Sequence, residues 1–252
     1  MLNNRLLSYG VDYIIDYQTN EVIFLEDPYA GIRGPYFNPT DVLPRRQGTV
    51  IESNAGDDTF TGPYPLGFSW NMFGTLYNEV YVGTNGYLTF GAGDSQWTPL
   101  VLGQLIAPAI YIEYCDLWQD YGINPSTGLR NTPLSTGETP GLFLSGGEVG
   151  DFVYWRLRFQ GSHYNQRTST TTVPAYQFEV TLYSDGTNQY IEMIYENTWR
   201  GANFNGDQGF ITGVALGRSG STPGTGILVD DASIQNNTSH VFYSTSNGGN
   251  WQ

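Results

Sequence analysis

Apolar and polar positions alternate with period two along much of this chain, the signature of half-buried strands. In LGFSWNMFGTLYNEVYVGTNGYLTFG, residues 66–91, Val80, Val82 and Thr84 share one face. Asn85-Gly86 then offers two residues tolerant of positive φ, and Leu88 and Phe90 continue on the return. The pattern predicts a type I′ hairpin, fed by a strand with Phe68, Trp70 and Phe73, with Asn85-Gly86 as a tight turn rather than a ligand loop. Gln104 to Cys115, with Ile106, Ile110, Ile112 and Tyr114, reads as a central strand that Pro108 interrupts or starts. Val153, Trp155, Leu157 and Phe159 face one way and Tyr154, Arg156 and Arg158 the other, which predicts a strand with one wet face. Phe178, Val180 and Leu182 repeat the alternation up to the turn Ser184-Asp185-Gly186, and Tyr190 to Tyr195 returns antiparallel. Phe210 to Ala215, Gly226 to Val229 and His240 to Ser244 bring the count to about eleven to thirteen strands in two sheets.

The N-terminal segment has its own pattern. Val11 to Tyr17 and Glu21 to Leu25 flank Gln18-Thr19-Asn20, predicting a hairpin with Asn20 at a left-handed position. A lone hairpin is marginal in water, so its apolar residues Tyr13, Ile15, Tyr17, Val22 and Phe24 are candidate assembly contacts. Pro28, Pro35, Pro39 and Pro44, interleaved with glycines, exclude a helix or a central strand and predict an extended arm, on which Tyr36 and Phe37 are further candidates. The expected fold is all-β: an antiparallel β-sandwich over 55–252, with a small hairpin and Pro-rich arm over 1–54. Residues 119–150, rich in Gly, Ser, Thr and Pro, read as a long insertion with one short strand candidate at 141–145.

Charge narrows the function. Twenty-four acidic residues stand against ten basic ones, all arginine, for a net charge of −14. Binding to nucleic acid through phosphate neutralisation, or to an anionic membrane surface, is disfavoured. The one cysteine, Cys115, excludes an intrachain disulfide, and with His163 and His240 the only histidines no Cys/His metal framework is available. Cys115 lies in an apolar run and is expected to be a buried thiol. No stretch has the apolar length of a membrane span, and the N-terminus lacks the apolar core of a signal peptide; if Met1 is the native start, export by the usual route is not expected.

The candidate chemistry is sparse. Glu113 and Asp116 are carboxylates close in sequence, as a glycosidase would need in space, but no catalytic motif accompanies them and the expectation is a non-enzyme without a cofactor. Asp57, Asp58, Asp230 and Asp231 sit in turn-like stretches whose oxygens would suit a structural calcium ion. Trp97, Trp118, Trp199 and Trp251 lie beside amide or carboxylate residues; Trp97, Trp118, Asp120 and Trp199 are candidate glycan contacts, although such aromatics equally suit subunit interfaces.

The run 66–91 is similar to the opening of the nidogen-like domain, an extracellular β-rich module. The same order continues with Ile106-Ala107-Pro108, Asp116-Leu117-Trp118, Trp155 in FVYWRLRFQ, and YQFEVTLYSDGTNQYIEMIYE at 176–196, then the strand bounded by Gly209 and Gly213. The resemblance spans roughly Phe60 to Leu216; the long Gly122–Gly150 segment and Met1–Asn54 depart from it. The hairpin at 10–27 resembles segments of phage tail and virion structural proteins. Together these resemblances imply a non-enzymatic phage virion protein on the tail or capsid exterior, made in the host cytoplasm. Its partners would be other virion proteins and its own copies. The alternative they imply is a glycan-binding adhesion module exposed on a virion or cell surface.

Overall fold

A computed structural model describes residues 13–16, 21–24, 49–52, 57–98, 101–118, 141–149, 152–163, 176–197, 210–229, 238–244 and 251–252. The chain divides into two compact units, Met1–Arg45 and Arg46–Gln252. In the first, β1 (Tyr13–Asp16) and β2 (Glu21–Phe24) pair antiparallel, with Tyr13 opposite Phe24 and Ile15 opposite Val22. Asp16 pairs with Glu21, so the connection runs over 17–20, one residue longer than the spacing predicted. Tyr17, Tyr36 and Phe37 lie outside the described residues, as do the side chains of Tyr13, Ile15, Val22 and Phe24.

The second unit is a sandwich of two antiparallel sheets, and the described residues contain no helix. One sheet runs β14 (Gly226–Leu228), β13 (Ile211–Ala215), β7 (Ala109–Tyr114), β6 (Tyr87–Thr89), β5 (Thr75–Gly83) and β4 (Phe60–Met72). The other runs β15 (Thr238–Ser244), β12 (Gln189–Asn197), β11 (Tyr176–Ser184), β10 (Phe152–His163), β9 (Gly141–Val149) and β3 (Thr49–Glu52), with β8 (Leu117–Trp118) paired to β10. The strand candidate at 141–145 thus extends to Val149 and sits inside this sheet. Thr49–Glu52, within the stretch read as the arm, pairs with β9.

The core forms where the two inner faces meet, because period-2 strands put their apolar residues on one side. Leu66, Trp70, Val80, Val82, Leu88 and Phe90 from the first sheet pack against Trp155, Leu157, Phe178, Val180, Leu182 and Ile191 from the second. Polar atoms also cross this interior. A bulge in β7, where Ile112 and Glu113 face the single residue Thr212 of β13, takes the Ile112 carbonyl out of the regular ladder. It accepts instead from Tyr195 Oη at 2.7 Å, across the sandwich, and from Thr212 Oγ1 at 2.8 Å.

Two turn assignments change places. The type I′ turn belongs to Phe73-Gly74, which join β4 to β5 between paired Met72 and Thr75 with φ of 54° and 89°. At Asn85-Gly86 the loop has three residues, Thr84 to Gly86, between paired Gly83 and Tyr87; Gly86 has φ 83° and Asn85 stays at negative φ. That is the type I turn with a left-handed third residue, and it frees the Asn85 side chain for other bonds. A Cβ on Gly86 would lie 2.4 Å from the Glu113 carbonyl oxygen, whereas one on Gly74 would meet nothing within 4 Å. Gly86→Ala should therefore cost about 2–4 kcal/mol and Gly74→Ala only about 1, measured by urea unfolding.

The outer face of the second sheet is a correction to the pattern. Arg156 and Arg158, expected on a wet face, are buried. Arg158 Nη1 donates to Glu179 Oε1 at 3.1 Å and Nη2 to Glu196 Oε2 at 3.2 Å; Arg156 Nε lies 3.8 Å from Glu179 Oε2 and donates to Thr181 Oγ1 at 3.4 Å. One register step away, Tyr154, Tyr183, Tyr190 and Tyr243 fall opposite one another across β10, β11, β12 and β15. Alternation alone cannot distinguish a wet face from a charged face that is covered.

Candidate functional site

The most chemically loaded place among the described residues gathers at the loop between β5 and β6. Thr59, just before β4, is clamped to Thr84: Thr84 N donates to Thr59 O at 2.9 Å, and Thr59 N donates to Thr84 Oγ1 at 3.1 Å. Asn85 is fully buried and works in three directions. Its Nδ2 donates to Asp58 Oδ1 at 3.2 Å, its Oδ1 accepts from Leu117 N at 2.8 Å, and its carbonyl accepts from Cys115 N at 3.2 Å. One amide side chain thus ties the 57–59 turn to the 115–117 segment. Asp57, Asp58 and Asp116 consequently each bring a carboxylate oxygen within 4.8 Å of the others.

Three carboxylates at this spacing repel one another, and oxygen-only ligation in an irregular loop is the chemistry of a hard cation such as calcium. Asp57 and Asp58 were legible as calcium candidates; Asp116 was not linked to them, because only the Asn85 bridge makes it their neighbour. Asp230 and Asp231 lie outside the described residues.

The aromatic candidates divide. Trp97 is 44 % exposed at the same end of the sheet. Its neighbour Gln96 offers a carbonyl to Asn85 Nδ2 at 3.5 Å and to Tyr87 Oη at 3.1 Å. Trp118 has its backbone on β8 but its side chain lies outside the described residues, as do Asp120 and Trp199 altogether. Trp251, read as loop-like, is buried against Trp70 with ring centroids 5.4 Å apart. Glu113, the carboxylate considered with Asp116, is also buried. The Cys115 thiol is buried too, donating to the Glu113 carbonyl at 3.6 Å, and burial pushes its pKa well above the usual thiol range.

A feature the pattern did not disclose lies behind the cluster. Tyr87, Tyr111 and Tyr114 project from the outer face of the first sheet and pin residues within 94–98 and 101–105. Tyr87 Oη donates to Asp94 O at 2.7 Å, Tyr114 Oη to Thr98 O at 3.0 Å, and Tyr111 Oη accepts from Leu105 N at 3.3 Å. Burial pushes the Tyr111 hydroxyl up to about 12, and Tyr87 and Tyr114 are pushed up further for the same reason. A raised folded-state pKa means that this stabilisation is fully present below the unfolded value near 10 and is lost as pH climbs through the folded value. The buried Cys115 thiol, also raised, adds a loss of the same sign that sets in at about pH 8.5, so melting temperature should ease from there and fall steeply between about 10 and 12, tracked by circular dichroism. In Cys115→Ala the early part should vanish, and a decline that still began at about pH 8 there would show that these hydroxyls are not what yields.

The region that holds the aspartates, Asn85 and the tyrosine-pinned residues can be compared with known families. Residues 36–140 match the family model described as NIDO related. This stretch is similar to the nidogen-related family. No curated protein and no solved structure matches the chain. The nidogen-related stretch includes Asp57, Asp58, Trp97 and Asp116, so the acidic cluster and the exposed tryptophan both belong to it. The Arg156–Glu179 network and Trp251 lie beyond the matched residues, yet in the second sheet and core that complete the same sandwich.

Proposed function

We propose that this chain is a non-enzymatic structural protein of a phage virion, carried on the tail or capsid exterior and engaged in protein–protein assembly. Its partners are other virion proteins and further copies of itself. The observation that carries this reading is the division of the chain at Arg45/Arg46, with a small hairpin unit on one side and the sandwich containing most of the nidogen-related stretch on the other. In this reading the hairpin attaches and the sandwich is displayed. Mass spectrometry of purified particles should find the full chain. A chain lacking Met1–Arg45 should fold but be absent from particles; its normal incorporation would remove the anchoring role from the first unit.

A second reading, a host-surface glycan-binding module, draws on the exposure of Trp97 beside carboxylate and amide groups, since an aromatic face so flanked can stack on a sugar ring. A glycan array on which the full chain binds and Trp97→Ala does not would favour it; no binding to any glycan would set it aside.

We also place a structural calcium ion at Asp57, Asp58 and Asp116. Added calcium should raise the melting temperature of chelator-stripped protein by several degrees, as expected for about 1–3 kcal/mol of ligand linkage, and Asp57→Asn/Asp58→Asn should abolish the rise. An unchanged melting temperature would exclude the ion.

A further inference from the structure

We propose that β14, at the edge of the six-stranded sheet, pairs antiparallel with β14 of a second copy and joins two sandwiches into a twofold dimer. The proposal rests on the assembly reading above and names the surface through which copies meet.

The hydrogen-bond phase of β14 leaves this edge open. Val229 N donates to Thr212 O and Leu216 N to Thr225 O, both at 2.9 Å. Between them Gly213 pairs with Leu228, Val214 with Ile227 and Ala215 with Gly226. Bonded and unbonded pairs alternate along an antiparallel ladder, so Ile227 uses its amide and carbonyl on β13, while those of Gly226 and Leu228 point away from it. Both residues are exposed, Leu228 at 61 %. Edge strands are usually guarded by a charge, a proline or a covering segment, and two other edges here are guarded. Across the same sheet β4 carries Pro63 and Pro65, which have no N–H to offer, and in the second sheet Gln252 pairs with Tyr243 alongside β15. Residues 225–229, Thr-Gly-Ile-Leu-Val, contain neither charge nor proline.

The occupant follows because the strand is complementary to itself. With a twofold axis through Ile227, Gly226 of one copy stands opposite Leu228 of the other, and each such pair exchanges its outward N–H and carbonyl groups. The side chains agree on both faces. Ile227 and Val229 pack half-buried against the core, so the two Ile227 side chains meet across the close, unbonded pair and cover the rim of both cores. Leu228, between them in sequence, faces the other way, and the residue it would meet there is a glycine, which leaves room for its side chain. Packing within one copy keeps that position a glycine, since a Cβ on Gly226 would lie 2.5 Å from the Cβ of Ala215. Because both copies use the same surface, the contact closes at two and does not propagate. A three-residue strand makes a small interface, so the dimer is weak and suits copies already held side by side on an assembly.

Disulfide trapping and sedimentation velocity of the full chain test this. Ile227→Cys places two thiols across an unbonded pair, whose Cα separation of about 4.5 Å suits a disulfide. Oxidised glutathione should convert it to a covalent dimer at least about tenfold faster than Leu76→Cys, a more exposed position near the β4–β5 turn that measures random collision. The native Cys115 is buried and does not compete. Wild type should sediment faster with rising concentration, and more so at high salt, because copies of net charge −14, each with Asp230-Asp231 directly after the strand, repel one another. Leu228→Glu changes a side chain that is exposed in one copy, and should weaken association about tenfold because the two carboxylates lie diagonally across the joint. Leu228→Pro removes an amide that faces away from β13 and should weaken it as well, with circular dichroism confirming that each variant is folded. Trapping of Ile227→Cys no faster than Leu76→Cys, or both Leu228 variants associating as wild type does, would overturn the contact. A wild type that stays monomeric at high salt would overturn it too, and leave the edge to an extended peptide of another protein. The virion reading has a separate readout: absence of the full chain from particles would sink it whatever the trapping result.

Discussion

Replacing Glu179 with alanine is expected to destabilise the sandwich by about 3–5 kcal/mol, the range for removing one partner from a buried ion pair. Glu179 is 1 % exposed and serves two guanidinium groups at once: Arg158 through a 3.1 Å hydrogen bond and Arg156 through a 3.8 Å approach. Both guanidinium groups lose this carboxylate, while Arg158 retains Glu196 at 3.2 Å and Gln160 Oε1 at 3.1 Å and Arg156 retains the Thr181 hydroxyl at 3.4 Å. For a unit of this size the loss corresponds to a drop of about 10 °C in melting temperature. Replacing the set together, Arg156→Met, Arg158→Leu, Glu179→Leu and Glu196→Gln, should cost far less than the single change and could stabilise, because the desolvation of four charges disappears with them. Urea unfolding of the single and quadruple variants decides the matter. A single variant that loses less than about 1 kcal/mol would mean that water reaches and screens these charges.

That network also marks where the sequence stops being informative. Alternation predicted the inner faces well: Val80, Val82, Leu88 and Phe90, and Trp155, Leu157 and Phe159, all enter the core as their spacing requires. It predicted the strand partners at the turn Asp185-Gly186, because a tight connection leaves only one antiparallel register, but missed the equally close pairing of β9 with β10, whose first strand read as part of an insertion. What lies over an outer face is decided by other parts of the chain, and Arg156 therefore read as wet. Asn85-Gly86 was read correctly as a turn but by the wrong type, since the dipeptide preference is local and the buried bonds of Asn85 to Asp58 and Leu117 are not. The acidic cluster was half legible for the same reason: Asp57-Asp58 is a local signal, and Asp116 joins it only through the folded sheet. Trp251 looked exposed because polar residues surround it in sequence, whereas backbone pairing fixes its position.

That pairing leads to the other large effect. Gln252 exchanges two backbone hydrogen bonds with Tyr243, both 3.0 Å, and so continues the second sheet beyond β15. Trp251 is thereby swung inward onto Trp70, the rings tilted by 30°, with Phe68 edge-on to Trp70 at 6.3 Å. Trp70→Ala should cost about 3–5 kcal/mol, since it empties a fully buried indole site fixed between two sheets. Trp251→Ala should cost somewhat less, about 2–3 kcal/mol, because a segment held by a single backbone pair can detach and let the site relax. The two changes should fall short of additivity by about 1 kcal/mol or more, as contacting side chains do. Neither indole N–H finds a hydrogen-bond partner among the described residues. Trp251→Phe, which keeps much of the ring and discards an unsatisfied donor, should therefore lose less than about 1.5 kcal/mol. If Trp251→Phe were as damaging as Trp251→Ala, the N–H would have to be bonded in solution. If Trp251→Ala were neutral, the stacking of the two indoles would contribute nothing to the fold.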